Sequence, residues 1–188
     1  MVESDFSKTP SLSLSGEINQ DQKLRERFLR FALFPETKLM LPLREISAVL
    51  KIPHGQIIPI PEMPPWVMGV YNWRGEIIWM VDLGHLIGLA HWYQQSVTSS
   101  NHEAIIIHPS NQPKATQTSG EMIGLIVSKV EDLESSDPQE IYSPPASAVS
   151  QELAPFLRGY WLKSGGDILV TLDGEAILAA MPKKEQEL

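Results

Sequence analysis

Apolar residues in this chain recur mostly at every second position, in short runs broken by proline, glycine and asparagine. That pattern predicts strands and turns. In RFLRFALF, Phe28, Arg30 and Ala32 alternate with Leu29, Phe31 and Leu33, as in a first strand. Pro35, Glu36 and Thr37 supply a turn, and KLMLPL returns as a second strand. REISAVL, with Ile46, Val49 and Leu50 apolar, reads as one helical turn followed by an extended segment. Prolines at positions 53, 59, 61, 64 and 65 exclude a helix from KIPHGQIIPIPEMPPW and leave an edge strand, Gln56 to Ile60, and a rigid loop.

The stretch Gly69 to Leu83, GVYNWRGEIIWMVDL, reads as strand, tight turn, strand, within a hairpin spanning 67–82. Asn72 and Gly75 are turn residues: the asparagine side chain bonds nearby backbone, and glycine accepts conformations other residues resist. Arg74 has no such structural reason to be there, and a fork of donors at the tip of a rigid hairpin suits recognition of another protein. Its competing role is a local salt bridge or a turn-closing bond. DLGHLIGL then predicts a short amphipathic helix, with Asp82 as its cap and Leu83, Leu86, Ile87 and Leu89 on its apolar face.

Further on, EAIIIH and EMIGLIVSKV (121–130) read as single strands, and EDLESSDPQEIYSPPAS as an acidic link. LRGYWLK and DILVTLD form strands around Ser164-Gly165-Gly166, and a terminal helix starts after Asp173 and runs through Ala180. The expected class is all-β with short helices. Residues 1–24, rich in serine, are expected to be a disordered tail, and 182–188 a second tail.

Composition removes several function classes. The net charge of −8 lacks the basic face that nucleic acid requires and suits an anionic membrane surface poorly. No cysteine is present, so disulfides, thiolate metal sites and cysteine nucleophiles are excluded. No targeting segment is visible at the N-terminus, and runs such as Ile77 to Val81 and Ala176 to Met181 are too short to span a bilayer. The histidines, at 54, 85, 91, 102 and 108, form no metalloprotease motif and no pair one helical turn apart. The acids Glu131, Asp132, Glu134, Asp137 and Glu140 lack the ligand alternation of a calcium loop and read as a solvated loop. No phosphate-loop, dinucleotide or nucleophile-elbow motif occurs. No cofactor or metal is expected, and no enzyme.

Four of the five tryptophans, Trp66, Trp73, Trp79 and Trp92, fall within 66–92. Burial is the ordinary fate of tryptophan. Trp73, in the turn beside Arg74, is the expected exception, since an exposed Trp–Arg pair has the composition of an interface hot spot.

Together the segments FLRFAL, LPLREISAVL, IIPIPEMPPWVMGVYNWRGEIIWMVDL, GLIVSKV and FLRGYWLKSGGDILVTLD resemble CheW, the coupling protein of bacterial chemosensory arrays, from about Phe28 to Ala180. The resemblance implies two small five-stranded β-barrels packed through an apolar seam, within a domain at 25–181. The first barrel is expected near 28–92, the second near 103–172 and the terminal helix near 174–181. The chain ends are expected to cross over, so that the terminal strand or helix completes the first barrel. It implies a non-catalytic adaptor in the cytoplasm, recruited to membrane receptor arrays by its partners. Those partners are the regulatory domain of a CheA-like histidine kinase and the cytoplasmic tip of a methyl-accepting chemoreceptor or photoreceptor. By position, Asn72, Arg74 and Gly75 match the family's N-x-R-G turn, Asp82 the aspartate closing that motif and Gly69 the glycine opening the hairpin. Ile46, Ala48 and Val49 fall on the kinase-facing segment, with Ile58 on the neighbouring edge; Val127 and Val130 fall on the receptor groove.

The chain departs from the family at Ala48, commonly acidic, at Trp73 and Trp79, commonly Leu and Pro, and at Ser128, usually Asp. Its extra tryptophans, serine-rich tail and Phe156 to Trp161 segment are similar to the CheW-like proteins of cyanobacterial phototaxis and type IV pilus systems. The alternative function is an oligonucleotide-binding β-barrel with aromatic stacking platforms, which the acidic charge opposes.

Overall fold

The computed structural model describes residues 25–94, 99–110 and 122–182. The expected tail at 1–24, and residues 183–188 of the one expected at 182–188, lie outside the described residues. Among the described residues, ten strands form two five-stranded sheets. The first contains β1 (Glu26–Leu33), β2 (Thr37–Pro42), β8 (Lys129–Ser136), β9 (Leu157–Leu162) and β10 (Ile168–Leu172), in the order β8-β1-β2-β10-β9. The second contains β3 (Ile46–Pro53), β4 (Val67–Trp73), β5 (Glu76–Asp82), β6 (Asn101–Ile107) and β7 (Ile123–Val127), in the order β3-β6-β7-β5-β4. The helices α1 (Leu83–Leu86) and α2 (Gly174–Ala179) are short.

The division between the sheets corrects the one expected from sequence. A cut near 93–102 does not separate them: the second sheet is continuous in sequence from β3 to β7, and the first is assembled from both ends of the chain. β10 pairs parallel with β2, which supplies the expected crossing of the chain ends. The chain passes between sheets twice, through a 3-10 turn at Leu43–Glu45 and again at Ser128. The segment 121–130 is therefore two strands, β7 and β8, in different sheets. At the break, the Ser128 amide donates to the Ala32 carbonyl at 3.1 Å, and the Ser128 hydroxyl accepts from the Phe34 amide at 2.9 Å. The acids Glu131, Asp132 and Glu134 are likewise strand residues of β8, not loop residues. Glu131 and Glu134 pair with Arg30 on β1, and Glu134 also with Lys163. Opposite charges on adjacent strands let an acidic sequence hold a ladder.

Alternation along the strands builds three apolar layers. Leu29, Phe31, Leu33, Leu39 and Leu41 on the first sheet meet Val81, Ile105, Ile107, Leu125 and Val127 on the second, in one shared seam closed by Leu83, Leu86, Phe156 and Ile177. The opposite face of the second sheet buries Ile52, Ile78, Met80, Ala104, Ile106 and Ile126. The opposite face of the first buries Phe28, Met40 and Leu169, with Ile141 and Trp161 against them. Strands such as β6 and β7 read as unbroken apolar runs because both of their faces are covered. Each fully buried Leu, Ile or Phe contributes about 1.5–3 kcal/mol, so the seam is the main force joining the two halves.

Candidate protein-interaction site

The β4–β5 hairpin presents the expected turn. Trp73 pairs with Glu76 across the ladder, leaving Arg74 and Gly75 as a two-residue loop. Both have positive φ, 57° at Arg74 and 86° at Gly75, the geometry of a type I′ turn, whose twist matches that of the strands. The Asn72 Oδ1 accepts from the Gly75 amide at 3.0 Å and closes the turn from one side. Arg74 is exposed, and among the described residues it enters no ion pair; its guanidinium lies 5.0 Å from the centre of the Trp73 ring. A non-glycine residue in the left-handed region costs about 1–2 kcal/mol. The fold thus tolerates an unfavourable backbone at Arg74 while gaining only a cation–π contact there, of about 0.5–1 kcal/mol for an exposed pair.

Trp73 differs from expectation. It ends β4 rather than sitting in the turn, and it is half-buried against the interior of the second sheet. The ring is a shelf under Arg74 with one face on the core. Trp66 and Trp79 pack on the seam, as core tryptophans should.

Gly69 and Asp82, matched by motif to a binding role, each have a part in the fold. Gly69 has φ 138° and lies against Ile58, so a Cβ there would collide with the Ile58 carbonyl. The contact accompanies a two-way backbone bridge, Ile58 to Val70, at 2.8 and 2.9 Å. This bridge replaces the strand expected from Gln56 to Ile60. Pro59 and Pro61, just after the bridge, remove donors a longer ladder would need. Asp82 is 2% exposed. Its Oδ1 accepts from the His85 amide as the cap of α1, and its Oδ2 from the Trp92 amide, both at 3.0 Å. The carboxylate therefore holds the start of α1 and the turn Trp92–Gln94 together.

On β3 the three expected contact residues separate by depth. Ile46 is buried in the seam, Ala48 is half-buried against the second sheet's interior, and Val49 is 46% exposed. Ile58 at 63% and Ile60 at 38% add exposed apolar surface on the same sheet's connecting segment. Val127 is buried in the seam and Val130 packs half-buried against it from the other sheet. A cleft of about 120 Å³ opens beside Val127, with Leu33 and Ser128 on one side and His102 and Glu103 on the other. Glu103 spans toward the first sheet, accepting from the Val130 amide at 2.6 Å.

Sequence reasoning missed Glu45. Its side chain is 5% exposed, it accepts from the Gly174 amide at 3.1 Å, and it pairs with Arg44. Burial, the dominant cause, pushes its carboxyl above the usual range against the opposing pull of Arg44 and the Gly174 bond. Glu45 links the first crossing between sheets to the start of α2, which Asp173 also caps. A glutamate between Leu43 and Ile46 gives no sign of this in sequence, because its partner lies 129 residues away.

Fold and site together define a two-part β protein that presents a rigid hairpin tip and exposed apolar edge residues. The chain belongs to the CheW-like domain family, whose model matches residues 27–181. Among solved structures, the chain is similar to the scaffolding protein TtCheW from Thermoanaerobacter tengcongensis, at 24% identity and a TM-score of 0.61. The match covers 79% of this chain and 88% of that one, and it is a likeness of fold. No curated protein matches the chain. No helix among the described residues is long and apolar enough to cross a membrane.

Proposed function

We propose that this protein is a non-catalytic chemotaxis scaffold that couples the cytoplasmic tip of a chemoreceptor or photoreceptor to the regulatory domain of a CheA-type histidine kinase. Family membership sets the class of function. The observation that carries the reading to this surface is the exposed apolar set on the second sheet, with Val49 on the open edge strand β3 and Ile58 and Ile60 beyond it. Open strand edges in soluble proteins are ordinarily guarded by charge or proline. Here Pro53 ends β3 and Lys51 is its one exposed charge, while Val49, Ile58 and Ile60 leave apolar surface that suits a specific apolar partner. Ala48, where relatives commonly carry an acid, makes this contact less salt-sensitive. The protein acts in the cytoplasm and reaches receptor arrays through its partners.

The motility output is the finer part of the proposal. Phe156 is buried and Trp161 packs inside the first sheet. The residues similar to phototaxis and pilus systems thus support the fold at least as much as a partner choice, and the partners carry the distinction.

Val49→Asp tests the kinase surface. The aspartate is solvated in the free protein and buried unpaired in the complex, so binding weakens by about 2–4 kcal/mol, roughly 30-fold to 1000-fold. The measurement is calorimetric titration against the cognate kinase regulatory domain, with circular dichroism as the folding control. Undiminished binding by the folded variant places the kinase elsewhere.

A further inference from the structure

Aromatic rings from three separate parts of the chain gather at one end of the second sheet. His54 follows β3, His102 lies on β6 and Trp92 sits in the turn after α1. The centroids of His54 and His102 are 4.2 Å apart, and the Trp92 ring meets His102 edge-on at 4.5 Å. His54 and Trp92 are 5.6 Å apart. Tyr93 continues the aromatic wall and stacks on His91 at 4.7 Å. The rings border a cavity of about 240 Å³, floored by Ile57 and Met68.

Asp82 also lines this cavity. Its carboxylate is 3% exposed, and its only ion-pair partner among the described residues is the His91 ring at 3.7 Å. The two amides that bond it are dipoles and leave its charge in place. No lysine or arginine lines the cavity. A buried carboxylate beside aromatic faces, with no lysine or arginine at the cavity, is the arrangement that attracts a soft organic cation, through ring quadrupoles and charge together. Burial, and secondarily His54, pushes the pKa of His102 down to about 4, so the His102 ring itself carries no competing positive charge at neutral pH. Among the described residues no group of three or more His, Asp or Glu is disposed to hold a metal ion.

We propose that this cavity binds a small organic cation of the alkylammonium or quaternary ammonium class, with its charge against the faces of His54, Trp92 and His102 and toward Asp82. Such a ligand pins the turn Trp92–Gln94 to the sheet, since the turn supplies part of the wall.

Choline and its uncharged isostere 3,3-dimethyl-1-butanol, titrated separately into the full chain and followed by amide and indole NMR shifts, test this. Choline is expected to give saturable shifts centred on Trp92, His54 and His102, and the isostere to bind about tenfold more weakly or not at all, a difference within the range of a cation–π site. His54→Leu, a change at an exposed position that keeps the bulk of the side chain, should weaken choline several-fold while the protein stays folded. Three results would each overturn the proposal: no saturable shift with choline, equal affinity for the uncharged isostere, or full affinity in folded His54→Leu protein.

Discussion

Arg74 and Asp82 stand at opposite ends of β5, in one motif, and the fold treats them in opposite ways. Asp82 is buried and holds two amides that have no other helical or ladder partner. Arg74 is exposed, sits in an unfavourable backbone conformation, and makes one cation–π contact. The residues of a motif therefore need not share a role. A buried polar group bonded to two amides is explained in the first place by the structure it holds. An exposed charged group on a turn of positive φ gains little from the fold, which is the reason to test it for a partner.

The largest expected effect that tests this contrast is Asp82→Ala. Losing the cap of α1 and the anchor of the following turn leaves two partly buried amides unsatisfied, at about 2–4 kcal/mol in total. For a chain of this size that lowers the thermal midpoint by about 5–15 °C. A midpoint within a degree or two of wild type would mean that water replaces the carboxylate and that Asp82 is free to serve a partner.

Glu45 sharpens the comparison, because it is a buried acid whose burial opposes its charge. Its carboxyl is raised above the ordinary value of 4.5. The folded state therefore keeps this proton at pH values where the unfolded chain has lost it. The Glu45 contribution is complete in acid and is lost as the pH rises from about 4.5 through the folded value. Glu45→Gln, which mimics the protonated form, removes that slope. In urea unfolding at a series of pH values, the stability of the Gln variant relative to wild type should rise between acid and neutral pH, by less than the Asp82 effect. A gap that moves the other way would show that Arg44 outweighs burial.

The smallest effect on stability is expected at the hairpin tip. Arg74→Gly removes the left-handed penalty of about 1–2 kcal/mol but loosens the unfolded chain, by roughly 0.4–1 kcal/mol. The net change should be close to zero or slightly stabilising, read from the urea midpoint. A loss above about 1 kcal/mol would make Arg74 a fold residue like Asp82.

Local signals carried much of this into the sequence. The alternation in β1, the proline punctuation, the hairpin turn and the caps at Asp82 and Asp173 are all decided within a few residues, and all are present in the structure. What sequence did not reveal is set by pairing at a distance. The break at Ser128 is invisible because β7 and β8 are both strands, and only their neighbours differ. The acidic β8 reads as loop until Arg30 and Lys163 are opposite it. Glu45 and the His54–Trp92–His102 cluster depend on contacts between separate elements. At the candidate site, the tip residues Asn72, Arg74 and Gly75 were legible because a two-residue turn is a local object. Ile46 and Val127 were not, because the seam that buries them is built by both sheets.

The central claim is that Arg74 serves a partner and not the fold. Calorimetric titration of wild type and Arg74→Ala against a CheA-type kinase regulatory domain and a receptor cytoplasmic tip, beside urea unfolding of the same samples, tests it most directly. The account predicts a loss of about 1–3 kcal/mol in binding to at least one of the two, the range of a charge-assisted contact, with stability changed by less than about 0.5 kcal/mol. Unchanged affinity for both partners, or a variant that loses stability while its folded fraction binds normally, would contradict it.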